Sequence, residues 1–404
     1  MARLPARRVR VWEVRMVETL IEGPETAAHL AALDAHVADV VEEAVKICEI
    51  PAPPFQEERR AAYVAARMQE LGLGTPRRDA VGNVICELPG DPHTPAVVVS
   101  AHLDTVFGPE VEIRVRRDGP RLAAPGIGDN SIAVAGLLWL GRVLATVPGR
   151  GTLVLAANVG EEGLGNLRGM RALWDQYGAR AGAWVVLEGA MFNQPSCAGI
   201  CVRRLEVTYH TAGGHSWSDF GQPSAIHALG RLIDQLAQVR VPPSPRTTYN
   251  VGVVRGGRTV NTIAPEAALL LDLRSEEPSA LDDLDRIVRG LVSGIAAAAG
   301  VDQEVTVVSD RPGGRLPPDH PLVRLVEAAS AAVGAPPEWK SASTDANVPL
   351  SRGAAAVCLG LARGEHLHAE AESLDVTPLP RGLRQAYLVT AALLRGALPA
   401  GASR

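Results

Sequence analysis

Aromatic side chains are scarce in this sequence: Phe, Trp and Tyr supply 4% of its 404 residues. A core must therefore be built from aliphatic and small side chains, and 47% hydrophobic content with 40 glycines provides for one. Cysteines are also few. The five, at 48, 86, 197, 201 and 358, are odd in number and scattered. Cys197 and Cys201 stand four apart, outside the C-x-x-C spacing of a zinc knuckle or redox pair. Buried, reduced thiols are the expectation, as in a cytoplasmic protein. Positive charge is not in surplus. The formal net charge of -5 excludes nucleic acid or an anionic membrane as the main partner. The short run Arg7-Arg8-Val9-Arg10 is diluted by Glu13 and Glu18 and reads as a solvated arm. No uninterrupted apolar run reaches the ~18 residues a membrane helix needs. Behind the N-terminal positive charge there is no apolar signal-peptide segment, so a cytoplasmic location is expected.

What is present has the rhythm of an α/β protein. A helical pattern runs from Leu33 to about Ile50 and stops at Pro51-Ala52-Pro53-Pro54. A second amphipathic helix covers Glu57 to Leu71. Strands are read at 82–88 and 96–100. A hairpin follows, with arms at 111–116 and 121–123. Helix 132–144, strand 152–157, helix 166–174 and strand 183–187 continue the alternation, which implies a mainly parallel sheet with helices on both faces. From about residue 200 the character changes. Strands at 202–210, 247–254, 267–274 and 304–309 and helices at 224–238 and 281–299 give the order βαββαβ of a ferredoxin-like α+β domain. Helix 320–333, strand 354–361 and helix 380–395 then resume the first style. A catalytic domain of residues 1–200 and 310–404 with a lid or dimerisation domain inserted at 201–309 is the expected layout.

The stretch around which this is organised is Val97-Val98-Val99-Ser100-Ala101-His102-Leu103-Asp104. Side chains alternate along a strand, so His102 and Asp104 project from one face at its end. One imidazole nitrogen can face a cation while a neighbouring carboxylate fixes the other. Asp129 in a Gly-rich loop, the pair Glu161-Glu162, Glu188 and His368 follow in order on loops. In parallel sheets ligands gather at the carboxyl ends of strands, where His102, Glu161, Glu162 and Glu188 sit. Oxygen and nitrogen donors without thiolate suit a hydrolytic metal site. Adjacent Glu161 and Glu162 diverge, so that one can hold a metal while the other serves as a base.

The motifs Ser-Ala-His102-Leu-Asp104-Thr, Gly-Ile-Gly-Asp129-Asn130, Glu161-Glu162-Gly163, Glu188-Gly189, Gly213-Gly214-His215-Ser216, Asn261-Thr-Ile-Ala-Pro265, Asp272-Leu-Arg274, Ser343-Thr344-Asp345-Ala346-Asn347 and His368-Ala-Glu370-Ala-Glu372 occur in sequence. With them the chain resembles the M20 family of metallopeptidases and deacylases from about residue 35 onward. The resemblance implies a zinc-aminopeptidase-like catalytic domain and two divalent metal ions, zinc first with cobalt or manganese as alternatives. Asp129 would bridge them, with His102 and Glu188 completing one site and Glu162 and His368 the other. His368 is preferred to His366 because the segments after it then fall in family register.

By the same resemblance Asp104 supports His102, Glu161 is the general base, and His215 reaches the active site of a partner in a homodimer formed through the inserted domain. Asn261 and Arg274 would contact substrate, although Arg274 could equally pair with Asp272 or Glu276. Glu at 188 points away from aminopeptidase-like members. The implied reaction is hydrolysis of an amide in a small peptide, of di-/tripeptidase or carboxypeptidase type. Removal of an acyl group from an N-acyl amino acid is the alternative. A non-catalytic binding protein on the same scaffold would need a broken site, and none of the catalytic positions is missing.

Overall fold

In the computed structural model, residues 23–398 are described, and the Arg-rich arm at 7–10 lies outside them. The chain divides into two compact units. The first runs to Cys197 and resumes over Arg315–Lys340 and from Thr344. The second comprises Ala198–Gly314 and Ser341–Ser343. The expected insertion at 201–309 is thus widened by a few residues at each end, and three residues from a later loop join it.

The first unit is built on a six-stranded sheet in the order Arg77–Arg78, Val84–Leu88, Leu153–Asn158, Ala96–His102, Ala181–Glu188, Ala356–Gly360. The last four of these run parallel, and the first two are joined on at one edge by antiparallel pairing. Strand Ala96–His102 is buried along its whole length. Its odd-numbered side chains Val97, Val99 and Ala101 pack with helices Val37–Cys48, Ile132–Leu144 and Leu379–Leu394. Val98 joins Met170, Leu173 and Tyr177 of helix Arg168–Tyr177 on the other face. A continuous apolar run is what a strand covered on both faces requires. Helical segment Ile127–Leu144 is long and apolar enough to cross a membrane, but 89% of it is buried inside this core. All five cysteines are buried and unpaired.

Two expectations are corrected. The helix read from Leu33 to Ile50 is broken at His36 into Pro24–Ala35 and Val37–Cys48, since His36 leaves helical geometry at φ -99°, ψ 5°. The hairpin is shorter than its pattern: its arms are Arg116–Asp118 and Arg121–Ala123. On its other edge the second arm, Arg121–Ala123, pairs antiparallel with Ser373–Asp375, so the hairpin is part of a larger sheet. A partner 250 residues downstream leaves no local signal.

The second unit is a four-stranded antiparallel sheet in the order Thr247–Gly256, Glu266–Ser275, Cys201–His210, Asp302–Arg311. Helices Ala225–Leu236 and Pro278–Ala299 cover one face through Leu229, Leu232, Leu284, Val288 and Val292. Leu205, Val207 and Tyr209 meet them at the period-two spacing of a half-buried strand. Thr247–Gly256 is an edge strand with Val253 and Val254 46% and 55% exposed.

Candidate metal centre

Each residue in the centre of the first unit is delivered by a chain segment leaving the sheet. His102 and Glu188 are the last residues of their parallel strands. Glu161 and Glu162 follow strand Leu153–Asn158 through Gly160, which takes φ 68°. A Cβ on Gly160 would collide with the Arg168 side chain, so the turn that presents the glutamates needs glycine there. Asp129 stands in the tight turn 127–131 before helix Ile132–Leu144. His368 comes from the loop between strands Arg363–Glu365 and Ser373–Asp375, with φ 64°. A histidine held in the left-handed region is uncommon and tends to mark functional loops.

These side chains converge. His102 Nε2 is 3.1 Å from Asp129 Oδ1 and 3.7 Å from Glu188 Oε2. His368 Nε2 is 3.0 Å from the other Asp129 oxygen, Oδ2, and 3.3 Å from Glu162 Oε1. Two groups of three thus share Asp129, one oxygen turned to each. Ligand atoms of His102, Asp129 and Glu162 all fall within 4.8 Å of one another. His368 rather than His366 is the histidine that makes these contacts.

The carboxylate of Asp104 does something its sequence position did not reveal. The ring nitrogen Nδ1 of His102 meets the Asp104 backbone oxygen at 3.0 Å, and the nearer carboxylate oxygen is 3.7 Å away. A carbonyl only accepts, so Nδ1 carries the proton, and in the neutral ring Nε2 keeps the lone pair that could bind a cation. The carboxylate instead accepts the backbone N–H groups of Glu161 at 3.0 Å and Glu162 at 2.7 Å. Asp104 therefore orients the glutamate pair as well as the histidine.

Further supports are visible only in three dimensions. Asn130 donates to Leu187 O at 3.0 Å and accepts Gly189 N–H at 2.8 Å, tying the Asp129 turn to the end of the Glu188 strand. Arg60, fully buried, donates to the carbonyls of Ile50 and Leu103 at 2.8 Å and of Cys48 at 3.2 Å. Sequence reasoning missed Arg60 because an arginine inside an amphipathic helix looks like surface. Asn158 donates to buried Asp345 at 2.6 Å.

The electrostatics are those of a buried, carboxylate-rich cluster. Burial pushes Glu162 up to about 8 and Glu188 up to about 7, with the Asp129 charge adding to both. Burial pulls His102 down, but its bonds to Asp129 and Glu188 outweigh this and leave it well above its ordinary value. Asp129 is raised by burial yet held low on balance by the two histidines. His368 is raised to about 10 by Asp129 and Glu162. Without a cation, protons must supply the positive charge. His102 Nε2 approaches Asp129 Oδ1 to 3.1 Å as a charge contact without good hydrogen-bond geometry, which leaves this buried oxygen able to accept a cation. Three carboxylates and two imidazoles, all hard or borderline donors, fit divalent cations of the zinc, cobalt or manganese type.

In the second unit, His215 and Asn261 lie together. His215 pairs with Thr262 between short strands, and Ser216 N–H donates to Asn261 O at 3.0 Å. The His215 amide donates to Asp219 at 2.7 Å, and its Nδ1 accepts from Trp217 N at 3.2 Å. Arg274 does not join them. It sits eight residues along its strand from Glu266, about 26 Å at ~3.3 Å per residue, and its Nε binds Asp272 at 2.7 Å.

Comparison with known proteins agrees with this architecture. Residues 83–198 match Peptidase family M28, and residues 203–299 match the peptidase dimerisation domain. An uncharacterized protein of Bacillus subtilis, YqjE, is 25% identical over 84% of this chain and 94% of its own length. Among solved structures, a tripeptidase from Staphylococcus aureus superposes with a TM-score of 0.74 at 18% identity, covering 89% of this chain and 99% of that one. YXEP of Bacillus subtilis, described as a dinuclear metal binding peptidase from the M20 family, gives 0.64 at 18% identity, over 89% and 99%. Fold and sequence together define a hydrolytic enzyme of the peptidase class. Its fold is shared with solved M20 peptidases, and its sequence is similar in part to a succinyl-diaminopimelate desuccinylase of Paracoccus denitrificans, 26% identical over 43% of this chain and 48% of that one.

Proposed function

We propose that this enzyme hydrolyses an amide bond in small peptides of two or three residues at a two-metal site. The observation that carries the reading is the sharing of Asp129, whose two oxygens face His102 and His368 separately at 3.1 and 3.0 Å. His102, Glu188 and Asp129 would hold one divalent ion, with zinc favoured, and Glu162, His368 and Asp129 the other. Two such ions supply Lewis-acid polarisation of a carbonyl and acidify a water toward neutrality. Glu161 stands next to Glu162 in the same turn, its backbone held by Asp104 and its charge felt by both Glu162 and Glu188. It takes the proton of the attacking water and returns it to the leaving amine. His215 and Asn261, supplied by a second copy, donate to the substrate carbonyl as negative charge develops on its oxygen. Arg274, near the end of strand Glu266–Ser275, belongs to a different contact, with a substrate carboxylate as its natural target.

A homodimer through the inserted unit is supported by the dimerisation-domain match over residues 203–299 and by the open edge strand Thr247–Gly256. Five buried free thiols fit a reducing, cytoplasmic setting. The test is a panel of dipeptides, tripeptides and N-acyl amino acids offered to the enzyme with Zn²⁺, Co²⁺ or Mn²⁺. Turnover of short peptides, lost on chelation, supports the proposal. Turnover of N-acyl amino acids alone would assign a deacylase instead.

A further inference from the structure

Glu372 is fully buried, and its carboxylate is aimed at backbone rather than at a cationic side chain. Its Oε1 accepts Gly128 N–H at 2.8 Å and Asp129 N–H at 3.0 Å, while Oε2 accepts Gly126 N–H at 3.1 Å. Successive amides of a glycine-rich turn form a concave anion site, and here the anion is a side chain from 244 residues away. The approach is close: a Cβ on Gly128 would come within 3.2 Å of Glu372 Oε1. Gly126 adopts φ 78°, a left-handed geometry that glycine enters without strain.

The main chain of Glu372 closes the turn that carries His368. Glu372 N–H donates to Ala369 O at 2.9 Å, Ala369 N–H donates to His366 O at 3.1 Å, and Glu372 O accepts Ala124 N–H at 3.1 Å. One residue is thus fastened to the His368 turn by its backbone and to the Asp129 turn by its side chain. These two turns deliver Asp129 Oδ2 and His368 Nε2, which stand 3.0 Å apart.

We propose that Glu372 is a positioning residue that sets the distance between Asp129 and His368, and so shapes the ion site formed by Asp129, Glu162 and His368. This rests on the two-ion reading given above. A carboxylate can serve three amides at once. The isosteric amide of glutamine offers one acceptor oxygen and turns an N–H₂ group toward at least one of them. Groups that orient metal ligands typically change affinity about 10- to 100-fold when altered.

The experiment uses the chelator-stripped full chain, titrated with Co²⁺ and followed by calorimetry and visible absorption, alongside its thermal midpoint. For Glu372→Gln the expected result is a cooperatively folded stripped chain whose melting midpoint falls by only a few degrees, the cost of one mismatched amide. One of the two ions should bind about 10- to 100-fold more weakly and the other should change by less than about threefold. Gly128→Ala crowds the same carboxylate from the amide side and should weaken the same ion, which guards against a folding failure in the first variant. Exposed Glu370→Gln should leave both affinities unchanged. Two ions bound with wild-type affinity by Glu372→Gln and Gly128→Ala would overturn the inference alone, as would equal weakening of both ions. A wild-type chain that binds one ion or none would overturn the two-ion reading and this inference with it.

Discussion

His368 Nε2 lies 3.0 Å from Asp129 Oδ2, a contact that spans 239 residues of sequence. Through it the C-terminal part of the catalytic unit closes onto a centre whose other members arrive between residues 102 and 188. The contact leaves the second oxygen of Asp129 to His102, and that division is the geometric root of the two-metal proposal.

The two adjacent glutamates should separate cleanly. Glu161→Gln should retain both ions and lose about 10²- to 10⁴-fold in kcat, the range of a general base. Glu162→Gln should lose occupancy of one ion. Metal analysis beside kcat checks both, and loss of metal in Glu161→Gln would reverse the assignment.

Asp104→Asn keeps the shape of the side chain but places an N–H₂ group where one glutamate amide needs an acceptor. Both amides are buried, so about 1–3 kcal/mol of misalignment cost is expected. We expect a fall of about 10- to 100-fold in kcat with His102 still able to bind metal. An unchanged kcat would show that the glutamate loop holds its position without Asp104.

The pH response of the stripped protein follows from its proton inventory. Glu162 and Glu188 rise from 4.5 to about 8 and about 7, and His368 rises from 6.5 to about 10. Each binds more proton when folded than when unfolded across the interval between its two values. Stability must therefore fall as pH rises through those intervals. The cation replaces these protons, so the rise in Tm on adding Zn²⁺ should grow between pH 6 and pH 8. Differential scanning fluorimetry at both pH values measures it, and a larger rise at pH 6 would contradict the assignment.

Mixed dimers test the trans role of His215. A Glu161→Gln chain and a His215→Ala chain should each be inactive alone. If His215 serves the partner, one site in the mixed dimer holds both defects and the other none, so about half of wild-type activity should return. If it serves its own chain, mixing restores nothing.

Much of this was legible along the chain because its signals are local. The apolar run at 97–101 reads as a doubly covered strand, and it is one. The ferredoxin-like order shows because each element of the second unit carries its own period, as in Leu205, Val207 and Tyr209. The gathering of polar side chains was legible where they end or follow strands, as His102, Glu162 and Glu188 do. What escaped depends on partners far away in sequence. The Asp104 carboxylate binds amides rather than the imidazole because the Glu161 turn arrives beside it. Arg60 is buried only because Leu103 and the end of helix Val37–Cys48 meet around it. The short strand Ser373–Asp375 exists only because Arg121–Ala123 offers an edge.

The most direct test of the central claim is a metal titration of activity. Chelator-stripped enzyme is given increasing Zn²⁺ or Co²⁺, and tripeptide hydrolysis is recorded against metal bound per chain. No hydrolysis is expected at zero, then a rise with bound metal and a plateau at two ions per chain. Hydrolysis that persists in the stripped protein, or a chain that binds two ions and cleaves no amide in the panel, would contradict it.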